Sequence, residues 1–236
     1  MEIKCTQILT GLSLAVLAST SALAADINLS LTNLTHGSHF TPLLVSAHDS
    51  STHVFQTGQA ASSNLRLMAE CGDTSGILSD LGGADMDTID NPATGLLAPG
   101  ASTSTSLMTA TDNTHLSIVA MILPTNDGFV GVDSLMIPAA VGTYTYYLKA
   151  YDAGTEANDE TLPGSSCAVG VAGIPAAPNS DGGTGATGAA SADSNTMVHI
   201  HRGVLGDSNP TGGLSDLDSS IHRWQNPVAK LVITVN

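Results

Sequence analysis

The stretch from Leu116 to Asp159, LSIVAMILPTNDGFVGVDSLMIPAAVGTYTYYLKAYDAGTEAND, decides the fold class of this chain. Its apolar runs are rich in Val, Ile and Tyr, and they alternate with two acidic, glycine-containing turns, PTNDGF and YDAGTEAND. Runs of this kind, bounded by Gly, Pro, Asn and Asp, are typical of β-strands. In TYTYYLKAY, one face carries Tyr144, Tyr146, Leu148 and Ala150. The stretch therefore predicts neighbouring strands with the two turns at their ends.

Upstream, apolar residues alternate from Asp26, which predicts a half-buried first strand. FTPLLVSAH at 40–48 predicts a second strand, with Pro42 near its start, where a missing amide is tolerated. Between Ser62 and Gly72 the apolar spacing is helical, with a serine start and a glycine stop. Residues 73–106 are turn-rich and are expected to form a long connection, with one helical turn around 76–81.

In the second half, residues 168–195 are rich in Gly, Ala and Ser and are expected to form a mobile surface loop. MVHIHRG then predicts a strand with Val198 and Ile200 on one face and His199 and His201 on the other. VAKLVITV at 228–235 predicts the last strand. The fold class is therefore all-β, an antiparallel β-sandwich with long loops and one or two short helices.

Residues 1–24 have the pattern of a secretory signal peptide: Lys4, an apolar core, then Ala22-Leu23-Ala24. That core is shorter than the ~20 apolar residues that span a bilayer. We therefore expect an exported protein, secreted, cell-surface or periplasmic, whose residues 25–236 form one domain without a transmembrane segment. Its net charge of −15 disfavours nucleic acid as a partner and favours cations. Acidity that serves solubility alone is the alternative.

Five segments in order resemble the spondin N-terminal domain family: FTPLLVSAH, SSNLRLMAECGD, NDGFVGVDSL, YDAGTE and NPVAKLVIT. They extend from residue 40 to residue 234 and so cover most of the chain after the leader. The resemblance implies a calcium-binding β-sandwich. It also implies a role in adhesion or matrix interaction, with a cell-surface or matrix protein or a glycan as partner.

The acidic turns contain the predicted calcium ligands. Calcium takes six to eight oxygens from carboxylates, carbonyls and water, and turns at adjacent strand ends present all of these. The resemblance assigns Asp127, Asp152 and Glu156 to the metal. This chain departs from the family pattern at Gly128, where tryptophan is usual, and at Glu156, where aspartate is usual. The alternative is that these acids only cap their turns. Asp133, Asp159 and Glu160 are either outer groups of the site or plain surface residues.

Histidines offer a second class of function, the binding of copper or zinc, since imidazole suits both ions. The candidates are His48, His199 and His201, which lie on or beside predicted strands. A His-x-His pair on one strand is, however, more often structural. No GxSxG, HExxH, phosphate-binding or dinucleotide motif is present, so we expect no enzymatic activity.

Two cysteines follow the leader, Cys71 and Cys167. In an oxidising compartment such a pair predicts a disulfide, because a metal site would need further Cys or His at short spacing. Two separate thiols are the alternative.

Overall fold

The computed structural model describes residues 24–83, 87–162, 172–176, 178, 182–190 and 195–236. The described elements are ten strands and two short helices. The strands are β1 (Asp26–Asn33), β2 (His39–Phe40), β3 (Leu44–His48), β4 (Thr88–Asp90), β5 (Ser102–Met108), β6 (His115–Leu123), β7 (Gly128–Met136), β8 (Gly142–Asp152), β9 (His199–Ile200) and β10 (Ala229–Val235). The helices are α1 (Ser63–Cys71) and α2 (Ser75–Asp80). The prediction of an all-β fold with one or two short helices is confirmed.

All pairs of these strands are antiparallel. Eight strands follow one another in the order β4-β3-β6-β7-β8-β10-β1-β5, while β2 pairs with β6 and β9 pairs with β8. The sheet curls over, so that its two end strands, β4 and β5, come into contact. The inner face of the curled sheet therefore encloses the main core.

The position of β6 explains its continuous apolar sequence. Alternate residues, Ile118 and Ile122 among them, face the main core. The residues between them, such as Met121, pack instead against a second cluster beneath α1, which includes Leu65 and Met68. Both faces of β6 are buried, so nearly every residue of the strand must be apolar, and an alternating pattern would leave polar residues in one of the two clusters. By contrast, β1 and β10 cover the core with one face only, and their sequences alternate.

Helix α1 begins and ends as its sequence predicts. The Ser62 side chain accepts a hydrogen bond from the amide of Leu65 and so caps the first turn. Gly72 ends the helix with φ 69°. The predicted helical turn at 76–81 is the short helix α2.

Three predictions about elements were wrong in detail. FTPLLVSAH is not one strand, because β2 and β3 are separated around Pro42, which lacks the amide that a ladder needs. Residues 73–106 are not only a connection, since they contain β4 and most of β5. Strand β5 was missed because its sequence, STSTSLM, is mostly polar. As an end strand with one exposed face, it needs few apolar residues.

The third concerns MVHIHRG, where Val198 is buried but Ile200 is 44% exposed and His201 is 4% exposed. Strand β9 is only two residues long, so the expected alternation does not continue to His201. Much of the loop predicted at 168–195 lies outside the described residues. Its described parts contact the fold, for example through the fully buried Ile174 and through Thr184, whose amide donates to Asp216.

Candidate metal centre

The two acidic turns meet at one end of the sheet because β7 and β8 are paired. Gly128, the first residue of β7, lies opposite Asp152, the last residue of β8. Asp127 immediately precedes Gly128, and its carbonyl accepts a hydrogen bond from the amide of Ala153 at 3.2 Å. The register of one antiparallel pair therefore brings the carboxylates of Asp127 and Asp152 to the same place.

Asp127 is completely buried and only half satisfied. Its Oδ2 accepts hydrogen bonds from the amides of Thr155 at 2.7 Å and Glu156 at 3.1 Å. Its Oδ1 is buried and has no hydrogen-bond partner among the residues that the structure describes. Burial, and then the nearby charge of Asp152, raise the pKa of Asp127 to about 7. The site therefore contains a buried acceptor oxygen to which no described residue donates.

Asp152 is 1% exposed, and its carboxylate is oriented by its own turn. Oδ1 accepts from the amide of Gly154 at 2.8 Å, and Oδ2 accepts from Nδ2 of Asn158 at 2.6 Å. On the neighbouring strand β9, the ring of His199 lies with Nδ1 at 3.7 Å from Oδ1. These contacts fix the direction of the carboxylate beside Asp127.

Gly154 allows this turn to pack closely. Its φ is +72°, which is the left-handed conformation that glycine adopts at least cost. A Cβ at this position would lie 2.6 Å from the carbonyl carbon of Thr196. The glycine of YDAGTE is therefore required both by the backbone conformation and by the approach of the chain that leads into β9.

Glu156 lies on the same turn and is 9% exposed. Its Oε2 accepts a hydrogen bond from the amide of Gly173 at 3.1 Å. Burial raises its pKa to about 7, with smaller contributions from the charges of Glu70 and Asp127. Glu156 is thus close enough to Asp127 to feel its charge, although its side chain is engaged by the 172–176 segment.

Among the residues with described positions, no three or more His, Cys, Asp or Glu side chains form a group that would hold a metal ion. The carboxylate pair is instead accompanied by two buried amides, Asn126 and Asn158. Two adjacent buried carboxylates, one of which has an oxygen without a hydrogen-bond partner among the described residues, fit a hard cation such as calcium. Sequence reasoning missed both asparagines, although Asn126 directly precedes Asp127 and Asn158 belongs to YDAGTEAND.

The structure separates the three acids that the sequence left undecided. Asp159 and Glu160 lie next to the centre: Oδ1 of Asp159 accepts from Nδ2 of Asn126, and the amide of Glu160 donates to Oδ1 of Asn126. The Glu160 carboxylate accepts hydrogen bonds from the amides of Leu205 and Gly206, so it fixes the loop that follows β9.

Asp133 lies elsewhere on β7. Its Oδ1 accepts the amide of Val54 at 2.6 Å, and its Oδ2 is 2.6 Å from Nδ1 of His53. It therefore fixes the segment that precedes α1 and does not belong to the centre.

The three histidines proposed for a transition metal do not come together. His48 lies opposite His115 at the start of β6, whereas His199 lies opposite Asp152 at the far end of the sheet. Both ring nitrogens of His48 are also engaged: Nδ1 donates to the carbonyl of Asp49, and Nε2 accepts from the hydroxyl of Ser117.

His201 has a structural environment. Its Nδ1 accepts a hydrogen bond from the amide of Gly203 at 2.9 Å, which places the proton of the neutral ring on Nε2. Its ring packs against Trp224, with centroids 5.1 Å apart. A Cβ on Gly128 would lie 3.0 Å from Cδ2 of this ring. His201 therefore occupies space next to the position where the family resemblance implies a tryptophan.

Cys71 is the last residue of α1. Its predicted disulfide partner, Cys167, lies outside the described residues, and so does the predicted leader apart from Ala24. The disulfide remains a prediction.

The fold and this carboxylate-lined end define an antiparallel β-domain with paired acidic turns. The Spondin_N family model matches residues 32–163, and the chain belongs to this family. The match covers the acidic turns and both helices, and its membership indicates an extracellular type of domain. No curated protein matches the chain significantly. Within the described part of the chain, no helix is long and apolar enough to cross a membrane.

Proposed function

We propose that this protein is an exported calcium-binding module, secreted or on the cell surface, that acts in adhesion or matrix interaction. The single observation that carries the calcium proposal is the fully buried Asp127, whose Oδ1 has no hydrogen-bond partner among the described residues and whose neighbour is Asp152. Two adjacent carboxylates that are both buried repel each other unless a proton or a cation is present.

Asp127 and Asp152 would hold the ion, together with oxygens of the two turns. Glu156, whose Oε2 accepts the amide of Gly173, would have to turn toward the ion to join them. Bound calcium would neutralise the charge of the pair and join the Pro124–Asp127 turn to the turn that follows β8. Both turns belong to the loop-bearing end of the domain. The proposal for adhesion follows from this arrangement and from the family: calcium would fix the shape of the loops that meet a cell-surface or matrix protein or a glycan.

The direct test is thermal unfolding of the mature protein with chelator and with millimolar calcium, together with the metal content of protein purified without chelator. Only the folded chain assembles the site, so binding should raise the free energy of unfolding by about 2.7 kcal/mol at a hundredfold excess over Kd. Magnesium should do less, because it dehydrates reluctantly and requires tighter octahedral geometry.

Superimposed melting curves, with no calcium in the purified protein, would rule out the calcium proposal. Stoichiometric copper or zinc would instead support the alternative function that the histidines suggest. For the adhesive role, binding of the domain to a glycan array and to matrix proteins should be measured with calcium and with chelator. Binding that is identical in both conditions would separate adhesion from the metal.

A further inference from the structure

The two end strands of the sheet differ in how they are protected from other chains. Strand β4 is three residues long and has Asp87 and Asp90 at its ends. Strand β5 is seven residues long, STSTSLM, and has no charge, proline or glycine. Natural end strands usually avoid edge-to-edge pairing by being short, charged or interrupted by proline or a bulge. By this criterion β4 is protected and β5 is not.

The outward direction of the β5 backbone follows from the hydrogen bonds at its two ends. The amide of Asn33 donates to the carbonyl of Ala101, and the amide of Thr109 donates to the carbonyl of Ala25. Both bonds lie on the register in which β1 and β5 pair. In an antiparallel pair, alternate residues bond to the partner strand. Odd-numbered residues of β5 therefore bond to β1, and even-numbered residues direct their amides and carbonyls away from it.

The outward groups belong to Ser102, Ser104, Ser106 and Met108, all of which are exposed. No backbone hydrogen bond from Ser104 or Ser106 to anything beyond β1 occurs among the residues that the structure describes. On the side of β4, the hydrogen bonds of the described residues lie at the ends of the strand: Thr103 Oγ1 donates to the carbonyl of Pro92, and the amide of Ala110 donates to Asp87. In the middle of β5, no described residue on that side bonds the outward backbone groups.

The charge distribution favours a second copy of this chain at this edge. Two copies with a net charge of −15 repel each other over most of their surfaces. From residue 91 to residue 111, however, the sequence contains no ionisable side chain. On the outer face of β1, the residues opposite Ser106, Ser104 and Ser102 are Asn28, Ser30 and Thr32, which are uncharged, and the one acid, Asp26, lies opposite Met108 at the end of the strand. The middle of this edge is thus uncharged, and the nearest acids, Asp26 and Asp87, lie at the Met108 end of β5.

We propose that β5 pairs with β5 of a second copy, antiparallel and about a two-fold axis through Thr105, to form a homodimer with a continuous sheet. This register matches Ser104 with Ser106 of the partner subunit, and Ser102 with Met108 of the partner subunit. All four outward residues then exchange amide and carbonyl bonds, which a shifted register would not achieve. The pairing also covers Met108, which is 63% exposed in the single chain.

The test is sedimentation equilibrium of the mature protein up to about 1 mM, since a contact of this size is at the weak end of specific interfaces. A reversible dimer is expected, and it should be favoured by added salt, which screens the net charge. The variant S104K/S106K places lysines opposite each other across the axis, because Ser104 meets Ser106 of the partner subunit. Like charges directly opposite are destabilising, so the dimer dissociation constant should rise by about tenfold or more.

Two further variants test the register and the location. S104E/S106K places Glu opposite Lys at both symmetric positions and should dimerise at least as well as the wild type. T143K/T145K adds the same charge to exposed residues of β8, which is inside the sheet, and should dimerise as the wild type does. A monomeric wild type at every concentration would overturn the proposal. The proposal would also be overturned if S104K/S106K dimerised as strongly as the wild type, or if S104E/S106K dimerised more weakly than the wild type.

Discussion

At the scale of single residues, Asp127 shows how a carboxylate can be held in an unfavourable state. Its burial is complete, two amides satisfy one oxygen, and the other oxygen has no partner among the described residues. Leaving a buried polar group unpaired costs about 1 to 3 kcal/mol, and more when it is charged. A residue with this cost is expected where a ligand relieves it.

Replacing Asp127 with Asn should therefore raise the stability of the calcium-free protein and at the same time abolish its stabilisation by calcium. The amide oxygen can keep the bonds from Thr155 and Glu156, while the buried charge disappears. At pH 8 without calcium, the variant should be more stable than the wild type by up to about 4 kcal/mol, the value of a pKa shift of this size. The stabilisation by calcium should be lost.

Chemical unfolding with chelator and with calcium measures both effects, and Asp112→Asn provides the control, because Asp112 is exposed and distant from the pair in sequence. A D127N variant that calcium stabilises as strongly as it does the wild type would contradict the assignment.

The same residue predicts an unusual pH dependence. The pKa of Asp127 is raised from 3.8 to about 7, so the folded chain binds more protons than the unfolded chain between these values. Its contribution to stability is present below pH 3.8 and is lost as the pH rises through 7. In chelator, the wild type should therefore lose stability relative to D127N from pH 4 to pH 8. A constant difference across this range would show that Asp127 has an ordinary pKa.

His222 predicts the opposite trend. It is 3% exposed, its Nδ1 accepts the amide of Asp218 at 3.1 Å, and burial lowers its pKa below 6.5. Its contribution is therefore present above pH 6.5 and is lost as the pH falls. His222→Asn retains an acceptor for the Asp218 amide but cannot be protonated. Between pH 7 and pH 5 the free energy of unfolding should fall more for the wild type than for H222N. Urea unfolding at several pH values measures this, and an equal fall in both proteins would contradict the prediction.

At the scale of elements, packing decides how much a sequence must show. The apolar run of β6 follows from burial on both faces, whereas β5 exposes one face and needs only Leu107 as a fully buried apolar residue. The end of α1 is a third case, because Gly72 lies against Thr41, whose Oγ1 accepts the amide of Met121 in β6. The helix end is thereby positioned on the sheet.

Replacing Gly72 with Ala should destabilise the domain by about 2 to 3 kcal/mol. The left-handed φ of +69° costs roughly 1 to 2 kcal/mol for alanine, and the new Cβ would lie 2.6 Å from Cγ2 of Thr41. Gly58→Ala is the matched control, since Gly58 has φ +83° and no atom within 4 Å of an added Cβ. Urea unfolding of both variants isolates the contact. Equal losses would mean that conformation alone matters at Gly72.

At the scale of the whole molecule, the chain combines an extensive apolar core with a strongly acidic composition. The core stabilises the fold, and the net charge of −15 opposes the association of copies. A disulfide between Cys71 at the end of α1 and Cys167 would further stabilise the fold, because it would join the helix to a segment that follows the second acidic turn in sequence.

We expect that link to be present in the exported protein. It would close a loop of roughly 95 residues, for which the chain-entropy model gives on the order of 4 kcal/mol as an upper figure. Thiol titration of the protein unfolded without reductant should find no free thiol, and titration after reduction should find two per mature chain. Two titratable thiols without reductant would exclude the bridge.

The sequence by itself determined the β class, the first and last strands, both helices and the end of the domain that carries the acids. These features depend on local patterns, namely alternation, helical spacing and turn residues, which act over a few positions. The tight acidic turns at the ends of apolar runs, together with the resemblance to the spondin family, also pointed to Asp127, Asp152 and Glu156 as calcium ligands. The mutual approach of Asp127 and Asp152 then follows from antiparallel pairing of consecutive strands.

Only the tertiary structure decided which partners these residues meet. The separation of His48 from His199 and the packing of His201 on Trp224 both depend on segments far apart in sequence. The same is true of β5, which is a strand because β1 offers a partner and the core covers its inner face. Long-range pairing and burial select these contacts, and neither leaves a pattern within a short window of sequence.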